Sequence, residues 1–98
     1  MGGCEFCEIV RGDREAHVLT RDSETIAFLD AQPAVHGHTL VAPTTHHESV
    51  FGPHRDLAAP FFETVEAVAI AMEQVLDPDG FSLFHTTGGL VGHITHAH

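Results

Sequence analysis

The 98-residue sequence contains no lysine, and four arginines are its only cations besides histidine, set against 14 acidic residues. A formal net charge of −10 excludes the basic stripe that a binder of phosphate backbones needs, so a nucleic-acid polymer is not an expected partner. A small anionic ligand held by local dipoles and imidazolium is not excluded. An acidic surface without lysine also suits a high-salt cytoplasm, where carboxylates keep a protein hydrated. No apolar run reaches the roughly 18 to 20 residues of a membrane span, and the first residues hold no signal-peptide apolar region. The expected location is therefore cytoplasmic, with no membrane partner. Low-complexity tracts, internal repeats and linkers are missing too, so residues 1–98 read as a single domain. Its hydrophobic content of 43% is too high for a disordered chain.

Cysteine is scarce, but both copies stand together as Cys4-Glu5-Phe6-Cys7. Close spacing without an export signal favours a metal half-site or a redox pair over a structural disulfide. A third reading is two small buried hydrophobes. A redox pair usually opens a helix after a strand, and no strand precedes Cys4. With ten histidines available, zinc is the expected cofactor.

The histidines concentrate at the other end, in Gly92-His93-Ile94-Thr95-His96-Ala97-His98. Read as a strand, this segment puts His96 and His98 on one face and His93 on the other. Two same-face imidazoles after the Gly-rich stretch 88–92 look like a site for a phosphate or a metal. A purification tag is an uninterrupted histidine run, whereas apolar and small residues interleave here.

Between the two ends the pattern predicts a short helix after the cysteines and a strand over His17–Arg21. A turn at Asp22-Ser23-Glu24 leads to a second strand over Thr25–Leu29, hence a hairpin. Asp30 ends that strand. A third runs His38–Ala42 until Pro43 stops it. Thr44–Ser49 resembles a helix start, with Thr45 as cap and Glu48 three positions on; either His46 or His47 can reach toward the cysteines. The clearest helix is Pro60–Leu76, where Phe61, Val65, Val68, Met72 and Val75 form an apolar stripe flanked by Phe62, Ala69 and Leu76. That stripe reads as core, and Asp77-Pro78-Asp79-Gly80 stops the helix. Phe81–Thr86 is a fourth predicted strand, followed by a loop and the histidine strand.

The order Cys4 to Val10 (Cys-x-Phe-Cys-x-Ile-Val), Ala27 to Asp30, Gly37 to Pro43 (Gly-His-Thr-Leu-Val-Ala-Pro), His46, a long helix and a terminal His-Ala-His resembles the histidine-triad (HIT) family. The resemblance implies an α+β fold: an antiparallel sheet of about five strands, one long helix and a short N-terminal helix, paired as a homodimer. It implies attack of a histidine on the α-phosphate of a nucleoside phosphoramidate or dinucleoside polyphosphate, through a nucleotidyl-histidine intermediate. His96 then matches the first triad member and His98 the central one, the nucleophile. A purine nucleotide is the implied partner, with Asp30 on the ribose hydroxyls, Phe6 against the base, and Thr86, Thr87, Gly88 and His93 near the phosphate. In the zinc-bound subgroup the ligands match Cys4, Cys7, His46 and His96.

The sequence departs from the family pattern at three places. Family members usually have asparagine where Thr86 or Thr87 stands, and His93 takes the place of a glutamine, with a spacing from Gly92 to His96 shorter than in many relatives. The sequence also ends within the His-x-His-x-His motif, so the domain reads as C-terminally truncated. An α-carboxylate on His98 (unperturbed pKa about 3.5) favours imidazolium and repels phosphate, which predicts weak turnover with binding retained. The alternatives to the enzyme are thus a catalytically impaired nucleotide- or zinc-binding module, or a small zinc-handling protein.

Overall fold

The first turn of the chain is held by its own sulfur. In the computed structural model, which describes residues 4–33, 35–47, 56–85 and 98, helix α1 (Glu5–Arg11) starts on Cys4, whose Sγ accepts the Cys7 N–H at 3.3 Å. Gly12 closes the helix in the left-handed region (φ 83°), its N–H reaching the Ile9 carbonyl at 3.1 Å. A seven-residue helix is too short to persist on propensity, so packing must hold it. Phe6 supplies that packing, with Ile9 and Val10 beside it.

Strands β1 (Val18–Arg21), β2 (Thr25–Leu29) and β3 (Thr39–Pro43) form an antiparallel sheet in that order. The β1–β2 turn is built by Asp22, whose Oδ1 accepts the N–H groups of Glu24 and Thr25, each at 2.8 Å. Those bonds hold the Asp22 carboxyl below its usual pKa. Pairing of Ile26 with Ala42 and Phe28 with Leu40 puts these four side chains on the face covered by Phe6 of α1. The alternate residues Thr25, Ala27 and Val41 face the long helix α2 (Ala58–Leu76). There Phe61 is buried against Val41 and Val65, and the Thr25 and Thr64 hydroxyls share a 2.6 Å hydrogen bond. The sheet is thus covered on both faces by helices, which is why β2 is buried from Thr25 to Phe28. Among the described residues no helix is long and apolar enough to cross a membrane.

The hairpin, the third strand and the long helix match the sequence expectation to within one or two residues. Three features differ. Phe81–His85, the described part of the predicted fourth strand, carries no regular structure, and the sheet has three strands among the described residues rather than five. A strand exists only through its ladder, which alternation of side chains cannot supply. Residues 44–47 are not helical, so the capping pattern at Thr45 is not used as a helix start there. Lastly, the α2 stripe is core only in part. Phe61 is buried, but Val75 is 79% exposed. The helix is roughly 28 Å long while the five-residue strands it covers span roughly 17 Å, so its last turns outrun the sheet.

Gly37 is where that overhang returns to the sheet. Its φ of 88° is open to glycine at no cost, and a Cβ there would lie 2.8 Å from Leu76 Cδ1. Leucine can swing aside, so the backbone conformation dominates. Gly37→Ala is expected to destabilise the fold by about 1–2 kcal/mol, read as a lower urea midpoint at unchanged slope. An unaltered midpoint would contradict this.

Candidate functional site

Two clusters of polar side chains are set by the ends of the elements just described. The first follows from α1. Residues 4 and 7 are one turn apart and so project on the same side of the helix start. His46 arrives from the segment after β3, and its Nδ1 lies 3.3 Å from Cys7 Sγ and 3.3 Å from Cys4 Sγ. All three donor atoms fall within 4.8 Å of one another. Burial pushes the Cys7 thiol up to about 11, the hydrogen bond and charge of Cys4 adding to it; Arg11 opposes and Glu8 reinforces.

This triangle fits zinc. Bond lengths of about 2.3 Å to sulfur and 2.0–2.1 Å to nitrogen put S and N about 3.6 Å apart in a tetrahedron. The observed separations of 3.3 Å are close to that. Two soft thiolates and an imidazole are also a zinc-selective donor set. Of the two adjacent histidines, His46 is the one that reaches the cysteines.

The second cluster lies beyond the far ends of β2 and β3. Asp30 follows β2, and its N–H donates to the His38 carbonyl at 3.0 Å, extending the ladder one step past Leu29 and Thr39. Its two oxygens have different neighbours. Oδ1 accepts the Gln32 N–H at 2.9 Å, and Oδ2 stands 3.5 Å from His38 Nε2. A groove of about 600 Å³ opens beside this pair, its walls mainly Leu19, Leu29, Val68 and Met72.

His98 lies against α1. Its ring meets Phe6 edge-on, with centroids 4.9 Å apart and planes at 85°. Phe6 in turn meets Phe28 edge-on at 5.3 Å. It is only 5% exposed, which makes it a core residue as well as a candidate contact for a base. His85 stands 6.0 Å from Phe61 and next to His98. Its pKa is lowered, by burial first and also by the positive charge available on His98; a hydrogen bond to the His98 backbone opposes this.

The structure therefore brings together Cys4, Cys7 and His46, sets Phe6 against His98, and places Asp30 at a strand end. Thr86, Thr87, Gly88, His93 and His96 lie outside the described residues. Sequence reasoning passed over His38 and His85, counting both as strand residues. A usable signal existed for His38: antiparallel pairing carried one step beyond β2 sets it opposite Asp30. For His85 no such signal exists, since its neighbours come from remote parts of the chain.

A family model described as HIT domain matches residues 11–98, a span that starts after the two cysteines. A Bacillus subtilis protein named Protein hit is 35% identical over 89 residues, which is 91% of this chain and 61% of that protein. The chain thus spans about three fifths of that relative's length. The adenosine 5'-monophosphoramidase of Schizosaccharomyces pombe is 28% identical over 97% of this chain and 69% of its own length. Among solved structures, a HIT-family protein of Bacillus subtilis superposes with a TM-score of 0.89 at 33% identity, covering 98% of this chain and 69% of that one. A zinc-bound histidine triad protein of Mycobacterium smegmatis does so with a TM-score of 0.82 at 30% identity, covering 96% and 69%.

Proposed function

The chain belongs to the HIT family, and from that premise we propose that it is a nucleotidyl hydrolase or transferase with His98 as its nucleophile. The substrates in this reading are nucleoside phosphoramidates or dinucleoside polyphosphates. One observation carries it: the His98 imidazole is seated edge-on against buried Phe6, with the His85 imidazole beside it. An aromatic seat restricts the ring to few orientations, and orientation is most of what a histidine nucleophile needs, since a neutral imidazole is already reactive near pH 7.

In the first step a ring nitrogen of His98 forms a bond to the α-phosphorus while the bond to the leaving amine or phosphate breaks. That leaving group departs with a proton. Water, or another acceptor, then attacks the same phosphorus, breaks the N–P bond and frees His98 with the mononucleotide. Thr86, Thr87, Gly88 and His93 are assigned to the phosphate, Asp30 to the ribose and the exposed rim of Phe6 to the base. Cys4, Cys7 and His46, with His96 as fourth ligand, would hold zinc. Such a closed Cys₂His₂ shell supplies structure and leaves no open position for chemistry. The thiols of Cys4 and Cys7 suit a cytoplasmic location. The family resemblance pairs the chain with a second copy, and sedimentation at micromolar concentration tests that pairing.

The reading of function is tested by supplying adenosine 5'-phosphoramidate to the zinc-loaded protein and following release of AMP. Intact-mass detection of one adenylyl group on the protein during turnover is the expected signature. AMP binding with no turnover would leave a binding module, and no affinity for AMP would leave only the metal cluster.

A further inference from the structure

We propose that His38 is a positioning residue for Asp30: it fixes the plane of the carboxylate so that the site prefers ribonucleotides to 2'-deoxyribonucleotides. This rests on the nucleotide reading above and goes beyond it by naming what sets the sugar preference.

The argument begins with the acceptor inventory. An ionised carboxylate offers about four lone-pair sites, two on each oxygen. In Asp30 one site on Oδ1 is taken by the Gln32 N–H, and Oδ2 faces His38 Nε2. Among the described residues, each oxygen keeps at least one open site. A vicinal diol presents two O–H donors side by side, the complement of that remainder. Removing the 2'-hydroxyl leaves one acceptor of a partly buried carboxylate without a partner.

Complementarity of this kind requires the carboxylate to stay still. The last torsion of an aspartate is a soft, two-fold rotor. Held only at Oδ1 by Gln32, the group would swing about that anchor and present one oxygen at a time. His38 supplies the second contact, at Oδ2, and its backbone is fixed. Its N–H donates to the Val35 carbonyl at 3.1 Å, its carbonyl accepts the Asp30 N–H, and the preceding Gly37 takes a positive φ of 88°. Thr39 Oγ1 locks the same turn by donating to the Gly37 carbonyl at 2.9 Å. The His38 and Asp30 side chains are 33% and 26% exposed, sheltered enough for their contact to count and open enough for a ligand to reach. Both residues border the groove, so the sugar can approach from there.

The test is calorimetric titration of AMP and of 2'-deoxy-AMP into the wild-type protein and the variants His38→Ala, His38→Gln and Asp30→Asn. The wild type is expected to favour AMP by about tenfold or more, the worth of one hydrogen bond to a charged group. In His38→Ala that preference falls to about twofold, with the affinity for 2'-deoxy-AMP little changed. Glutamine keeps an N–H donor at similar reach and restores the preference. Asp30→Asn removes it. A wild-type ratio retained in His38→Ala overturns the proposal, as does an equal loss of both affinities, which marks a merely structural role. Failure of the wild type to bind AMP at all would instead overturn the nucleotide reading, and this inference with it.

Discussion

Replacing His98 by alanine is expected to lower kcat on adenosine 5'-phosphoramidate by roughly 10⁴-fold or more, the scale on which deletion of a covalent nucleophile acts. AMP affinity should change by no more than about threefold, since the ring's bond to phosphorus exists only along the reaction path. Zinc content should not change. This separation of effects follows from what surrounds the residue. Cys4, Cys7 and His46 close their triangle without His98, and Asp30 is held by Gln32 and His38. Alanine cannot make the edge-on stack on Phe6, but Phe6 keeps its second stack on Phe28. No adenylyl adduct should form on the alanine variant. Retention of kcat, or an adduct of undiminished yield, would remove His98 from the nucleophile's role. His98→Asn sharpens the comparison, because it retains a planar polar group but no ring nitrogen able to attack.

How much of this was legible in the sequence depends on whether the information is local. The hairpin was, because Asp22 makes its turn through bonds to residues two and three positions on. Helix α2 was, because a 3.6-residue apolar period and a following Asp-Pro-Asp-Gly stop are both local signals. The exposure of Val75 was not, because it depends on how far a helix extends past the strands beneath it. The absence of a strand at Phe81–His85 has the same origin: alternation states what a strand could bury, while the ladder comes from elsewhere. In the candidate site, Cys4 and Cys7 announced themselves by spacing; the residues alone left His46 and His47 open, the family resemblance pointed to His46, and the geometry brings His46 to the cysteines. Phe6 shows the converse case. The family resemblance offered it to a base, and packing buries it in the core with edge-on contacts to Phe28 and His98.

Removing zinc should be the largest single perturbation of the fold. A ligand present at 1,000 times its dissociation constant stabilises by about 4 kcal/mol, and each kcal/mol moves Tm by about 4–8 °C in a domain of this size. Chelation is thus expected to lower Tm by about 15 °C or more. α1 should be lost first, because seven residues capped by Cys4 depend on the packing of Phe6, Ile9 and Val10 and on the triangle. The variant that isolates the metal is Cys4→Ser. Serine is a better helix cap than cysteine, so the bond from the Cys7 N–H survives while the soft ligand does not. Cys4→Ser should therefore bind no zinc and melt where the chelated wild type melts. The pH dependence has a definite sign. The Cys7 thiol, raised from 9.0 to about 11, favours the metal-free fold in its protonated form, so that contribution is complete below pH 9 and lost between 9 and 11. Zinc requires the thiolate, so loading near pH 7 should release the Cys7 proton and apparent zinc affinity should rise with pH. Proton uptake into buffers of different ionisation enthalpy measures that release. Equal melting of loaded and chelated protein would show that these three side chains hold no structural metal. Cys4→Ser, which keeps the cap bond from the Cys7 N–H, would then leave the stability of the protein nearly unchanged.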